Sequence, residues 1–177
     1  MLVALLANEP ESDDVGRQFV DWVEAGIELH APSLARYEIA NALARKAAHG
    51  EVAEEDLASV WAELEALPIQ YDALTDGAAV IALALELERR SAFDAAYVAL
   101  ASRIGAELWT IDGPLARNAG ARGHAVRLIP RQGWPRAAGR LANSLLTARR
   151  RRAGGATVRP ALSRPDVGAA ARASIQA

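Results

Sequence analysis

The sequence predicts an α/β fold, a three-layer α/β/α sandwich around a central parallel sheet. Three observations carry this. Short apolar runs, MLVALLA (1–7), IELHAP (27–32), LPIQYDAL (67–74), ELWTI (107–111) and HAVRLI (124–129), alternate with longer Ala- and Leu-rich helical stretches. Half of the residues, 51%, are hydrophobic but only 5% are aromatic, a balance that favours helix. Strands separated by helices pair in parallel, because a crossover helix cannot be replaced by a tight turn.

Taken in order, MLVALLA is expected as a buried strand, a continuous apolar run closed by the turn signal NEPES (8–12). Ser12 or Asp13 caps a helix with Val15, Phe19, Val20 and Val23 on one face, and Gly26 ends it. IELHAP is a short strand. Ser33 is expected to cap the next helix, with Leu34, Tyr37, Ile39 and Leu43 as its apolar stripe and Gly50 as its stop. Residues 51–67 are helical up to Pro68, a short strand lies in 67–74, and helices follow at 76–90 and 92–104, the second closed by Gly105. ELWTI is a buried strand, Asp112-Gly113-Pro114 turns into a short helix, and HAVRLI is the last strand.

Beyond Pro130 the character changes. Residues 1–130 carry 10 Lys and Arg against 21 Asp and Glu, whereas 131–177 carry 10 Arg and the single acid Asp166. The chain therefore divides into a domain over 1–130 and an Arg-rich tail over 131–177, helical at 136–152 and otherwise disordered. The run Arg149–Arg152 is a further basic feature of that tail. With no cysteine, disulfides and thiolate metal sites are excluded. The apolar start is too short to span a bilayer and lacks the basic flank of a signal peptide, so a cytoplasmic location is expected.

Three acids stand out. Glu38 lies in PSLARYEIANALARKA (32–47), Asp94 in SAFDAAYVALASRIGA (91–106), and Asp112 ends ELWTID (107–112). Each has a structural role open to it: Asp94 near a helix start, Asp112 bonding its own turn, Glu38 pairing with Arg36 or Arg45. All three nevertheless map to the edge where strands end and helices begin, which is where ligand sites of such sheets lie. Carboxylates converging there suit a divalent metal and phosphodiester chemistry. His30, His49 and His124 have no ligand-like spacing. Trp22, Trp61 and Trp109 fall at core positions, and Arg36, Arg45, Lys46 and Arg117 are the candidate phosphate contacts.

The order of P-x-L-x-x-x-E-x-x-N-A-L (32–43), D-A-x-Y-x-A-L-A (94–101) and T-x-D (110–112) resembles the PIN-domain ribonucleases, with the toxins of VapBC toxin–antitoxin modules nearest in pattern. The resemblance covers about residues 1–130. It implies Mg²⁺- or Mn²⁺-dependent endonucleolytic cleavage of RNA, neutralisation by a small antitoxin protein, and frequent homodimers. It places the family's acids, as catalytic residues and metal ligands, on Glu38, Asp94 and Asp112, with Thr110 as the hydroxyl that helps hold the last carboxylate. One departure stands out. The family's first strand follows a pattern like D-x-S-x-L-V-A-L-L, and here LVALL is residues 2–6, so its Asp falls about three residues before Met1. A clipped strand and a lost ligand are the expectation, through a late start or a truncated relic. The alternatives to a toxin-type endoribonuclease are a catalytically decayed module that only binds an antitoxin or partner, and a DNA-repair or processing nuclease of the same fold.

Overall fold

The computed structural model describes residues 1–6, 12–129 and 171–176. In chain order the elements are α1 (Leu2–Leu6), α2 (Ser12–Ala25), β1 (Glu28–Pro32), α3 (Leu34–Ala48), a 3₁₀ turn (Glu54–Asp56) leading into α4 (Leu57–Ala66), β2 (Ile69–Asp72), α5 (Gly77–Glu86), α6 (Ala92–Ile104), β3 (Glu107–Thr110), α7 (Gly113–Ala121), β4 (Val126–Leu128) and β5 (Arg172–Ile175). The strands form one sheet in the order β2-β1-β5-β3-β4, every neighbouring pair parallel.

The helices follow the sequence pattern closely. Val15, Phe19 and Trp22 line the buried face of α2 at helical spacing, and Trp22 meets Trp109 edge-on at 5.1 Å. Ala35, Ile39 and Leu43 are the buried stripe of α3. Tyr37, expected in that stripe, is 80% exposed, because two residues along a helix turn about 200° and so place it nearly opposite Ala35 and Ile39. Ser33 precedes α3 in a helical conformation without a side-chain cap bond, so it is not the cap its residue type suggests. Asp76 and Ser91 do cap α5 and α6, accepting from the backbone N–H of Ala79 and Phe93. Gly105 closes α6 at φ +66°, a conformation that glycine adopts without strain.

Two elements differ from expectation, and they are linked. LVALL is the helix α1, not a strand. A five-residue apolar run of Leu, Val and Ala cannot be assigned by periodicity, and Leu and Ala are good helix formers. Met1, Leu2 and Ala4 are buried in the core beside α2 and α3. The central strand position belongs instead to β5, from the segment expected as disordered tail. Leu29 and Ala173, His30 and Ser174, Leu108 and Ser174, and Trp109 and Ile175 stand in register on its two sides. Ala173, Ser174 and Ile175 are buried. Burying one Ile side chain is worth about 1.5–3 kcal/mol, and β5 adds two hydrogen-bonded edges that β1 and β3 otherwise leave unpaired. The α1 helix starts directly on this strand, with the Leu2 N–H donating to the Gln176 carbonyl at 3.2 Å. The expected helix 136–152 and the Arg149–Arg152 run lie outside the described residues.

Candidate functional site

Parallel strands all end on one side of the sheet, and the helices that alternate with them start there. Gln176 follows β5, Asp112 follows β3, Asp94 is in the first turn of α6, and Glu38 is one turn into α3. The sequence thus brings Glu38, Asp94 and Asp112 to a common edge. Their charges act on each other in sequence: Asp94 on Glu38, and Asp112 on Asp94. As the side chains stand, no three Asp, Glu or His among the described residues are grouped so as to hold one metal ion.

Each acid is held by a specific partner. The buried Tyr97 hydroxyl donates to Glu38 Oε2 at 2.5 Å. Tyr97 lies three residues after Asp94 on α6, so one helix carries both an acid and the group that orients another. Burial raises the Glu38 pKa above its usual value; the Tyr97 bond works against this, Asp94 adds to it, and the α-amino group of Met1 opposes it. Asp112 caps α7, its Oδ1 accepting from the Leu115 N–H at 2.8 Å, while its own N–H donates to Thr110 Oγ1 at 2.9 Å. The bland role of a turn-forming acid is therefore real for Asp112, and it leaves Oδ2 toward the edge.

Asp94 sits between two partners that sequence reasoning passed over. Arg89 Nε lies 3.3 Å from Asp94 Oδ2, and the same guanidinium reaches Asp112 Oδ2 at 3.7 Å. Gln176 Nε2 donates to Asp94 Oδ1 at 3.3 Å, and Gln176 Oε1 accepts from Thr110 Oγ1. Burial raises the Asp94 pKa; Arg89 lowers it, and Asp112 raises it further. The net direction is upward because burial, with the Asp112 charge added, outweighs an arginine that is shared between two acids.

Tyr97 was legible from its i+3 spacing to Asp94. Arg89 stands in the connection LERRS between helices, where nothing marks it. Gln176 carries no local signal at all. Its position depends on β5 entering the sheet.

Beside the acids, a cleft of about 550 Å³ runs between Asp112, Ile111 and Gln176 on one side and Arg45, Lys46 and His49 of the α3 end on the other. It brings oxygen donors and cationic side chains to one opening. Of the other candidate phosphate contacts, Arg36 is engaged elsewhere, paired to Glu65 at 2.6 Å and stacked on Trp61 and Tyr71. The donor set at the edge, carboxylates with a neighbouring hydroxyl and an amide, suits a hard cation such as Mg²⁺ or Mn²⁺.

The PIN domain family model matches residues 1–121. Ribonuclease VapC3 of Pyrobaculum aerophilum is 36% identical over 122 residues, which cover 65% of this chain and 86% of that protein. No solved structure matches the chain significantly.

Proposed function

The chain belongs to the PIN-domain family, and from that premise we propose that it is a metal-dependent endoribonuclease of the toxin type. The observation that carries the proposal is the partly buried acid edge, where Asp94 keeps a raised pKa although Arg89 stands beside it. Carboxylates that repel one another in a desolvated setting are stabilised by a divalent cation, and Glu38, Asp94 and Asp112 are the side chains that would hold it.

Held by Glu38, Asp94 and Asp112, a divalent cation would make water a better nucleophile at neutral pH and would offset charge on the attacked phosphate. The chain's own residues do the rest. Tyr97 fixes the Glu38 carboxylate, and Thr110 fixes the turn that presents Asp112. Arg45 and Lys46 line the cleft where an RNA backbone phosphate approaches Asp112. Hydrolysis forms one bond from the water oxygen to phosphorus and breaks one P–O bond of the backbone on the far side. RNA as substrate and a small antitoxin protein as partner belong to the same proposal.

The non-catalytic alternative, a PIN module that only occupies a partner, draws on one observation: Arg89 already pairs with two of the acids, and three do not converge on a single point. An RNA cleavage assay with Mn²⁺ or Mg²⁺ separates the two. The enzyme is expected to lose at least ~10²-fold in rate on Asp94→Asn, the scale on which misplaced catalytic groups act. No cleavage by the unaltered chain would leave only the binding module, and full cleavage by Asp94→Asn would overturn the assignment of the acids.

A further inference from the structure

The C-terminal strand ends inside the acid edge, and its last described residue is neither buried filler nor solvated tail. The Gln176 backbone is tied on both sides, its N–H donating to the Trp109 carbonyl at 3.4 Å and its carbonyl accepting from the Leu2 N–H at 3.2 Å. From that fixed root the side-chain amide spans two elements. Its oxygen accepts from Thr110 Oγ1 on β3, and its nitrogen donates to Asp94 Oδ1 on α6 at 3.3 Å. Thr110 Oγ1 in turn accepts from the Asp112 N–H at 2.9 Å. A continuous hydrogen-bonded path therefore runs from the turn of Asp112, through Thr110 and Gln176, to the carboxylate of Asp94.

We propose that Gln176 is a positioning residue of the cation site, delivered by the C-terminal strand, which orients Asp94 against Asp112 and sets the charge of the site at three carboxylates rather than four. The inference rests on the acid edge being a cation site. It adds that a residue 82 positions beyond Asp94 in sequence controls that site. A carboxylate at this place changes two things at once. It repels Asp94 when no cation is present, and it adds a charged oxygen donor when one is. An alanine removes the path and leaves Asp94 without its amide partner.

The test is Mn²⁺ binding to the full-length chain, read from the electron paramagnetic resonance of free Mn²⁺, for the unaltered protein, Gln176→Glu, Gln176→Ala and Asp94→Asn. Thermal unfolding of each without metal serves as the folding control. The expected result is affinity about tenfold tighter in Gln176→Glu and several-fold weaker in Gln176→Ala, with metal-free unfolding at a lower temperature in Gln176→Glu. A residue that merely packs the strand end would lower the unfolding temperature of both variants and leave the affinity of both alone. Unchanged or weaker Mn²⁺ affinity in Gln176→Glu, with binding lost in Asp94→Asn, overturns the role of Gln176 and leaves the cation site standing. Absent binding to the unaltered chain, or full binding to Asp94→Asn, overturns the cation site and this inference with it.

Discussion

Asp72 and Asp94 stand at the same edge of the sheet, with side chains 23% and 26% exposed and an arginine beside each, yet their pKa values move in opposite directions. Burial pushes Asp72 up, but it is overcome. The carboxylate bonds His30 Nδ1 at 2.9 Å and Arg103 at 3.1 Å, one oxygen to each, and the net shift is downward. Burial pushes Asp94 up and is not overcome. Its arginine is farther, at 3.3 Å, divides its charge with Asp112, and the Asp112 charge adds to the cost. The two side chains are about equally exposed, but the surroundings of Asp94 are the more buried, so its desolvation cost is larger, and it meets that cost with an arginine shared with Asp112, whereas Asp72 has both an arginine and an imidazole. Asp72 is complete as a structural ion pair. Asp94 is buried with only a share of the Arg89 charge, and perturbed carboxylates of that kind are where function concentrates.

The largest expected effect removes what stands between the two acids. β5 separates β1, next to the strand that ends in Asp72, from β3, which leads to Asp112. Deleting residues 171–177 is expected to abolish the cooperative thermal transition, since it empties the middle of the sheet. A truncated chain that unfolds as the full chain does would show that neither site depends on β5.

Next in size is the contrast between the acids themselves. Asp94→Asn is expected to remove RNA cleavage by at least ~10²-fold while leaving stability near that of the unaltered chain or above it. Asp72→Asn is expected to do the reverse, retaining cleavage and costing on the order of 1 kcal/mol, or ~2–4 °C in unfolding temperature. Cleavage lost in both variants, or in neither, would erase the distinction.

The pH dependence of metal-free stability sharpens the same comparison. Glu38 and Asp94 have folded pKa values raised above their ordinary 4.5 and 3.8, so the folded chain binds protons more readily than the unfolded chain in the window between. Their contribution to stability is fully present below the ordinary values and is lost as pH rises through the raised ones. Asp72 acts oppositely: its contribution is present above 3.8 and is lost as pH falls through its lowered value. Mild acidification from neutral pH is therefore expected to stabilise the metal-free chain, and Asp94→Asn to reduce that gain, as followed by urea unfolding. A gain of full size in Asp94→Asn would place its origin elsewhere.

The smallest effect concerns Arg89. Arg89→Gln is expected to lower metal-free stability slightly and to tighten Mn²⁺ binding several-fold, because the guanidinium and the metal draw on the same carboxylates. Weaker Mn²⁺ binding in this variant would mean that Arg89 supports the site rather than competing for it.

Much of this was legible in the sequence because the signals are local. Asp112 before Gly-Pro, Asp94 near a helix start and Glu38 one turn into a helix each reveal their place at the strand-end edge without tertiary information. The chain ends were misread for a physical reason. LVALL has the composition of either a buried strand or a buried helix, and only its neighbours decide. RASI is four residues in a stretch rich in Gly, Pro, Ala and Arg, and its strand character comes from β1 and β3 on either side rather than from its own propensity. Gln176 was invisible for the same reason, and with it the path joining the acids. Arg89 lies in a connection, and nothing in its local pattern points toward two carboxylates.

The central claim is that Asp94 and Asp112, which share one arginine, take up a divalent cation, and that Asp72, paired with Arg103 and His30, does not. Thermal unfolding with and without Mn²⁺, on the unaltered chain, Asp94→Asn and Asp72→Asn, addresses it most directly, because binding to the folded state alone raises the unfolding temperature. The account predicts a Mn²⁺-dependent rise in the unaltered chain and in Asp72→Asn, and none in Asp94→Asn. A rise that survives in Asp94→Asn, or one that disappears in Asp72→Asn, would contradict it.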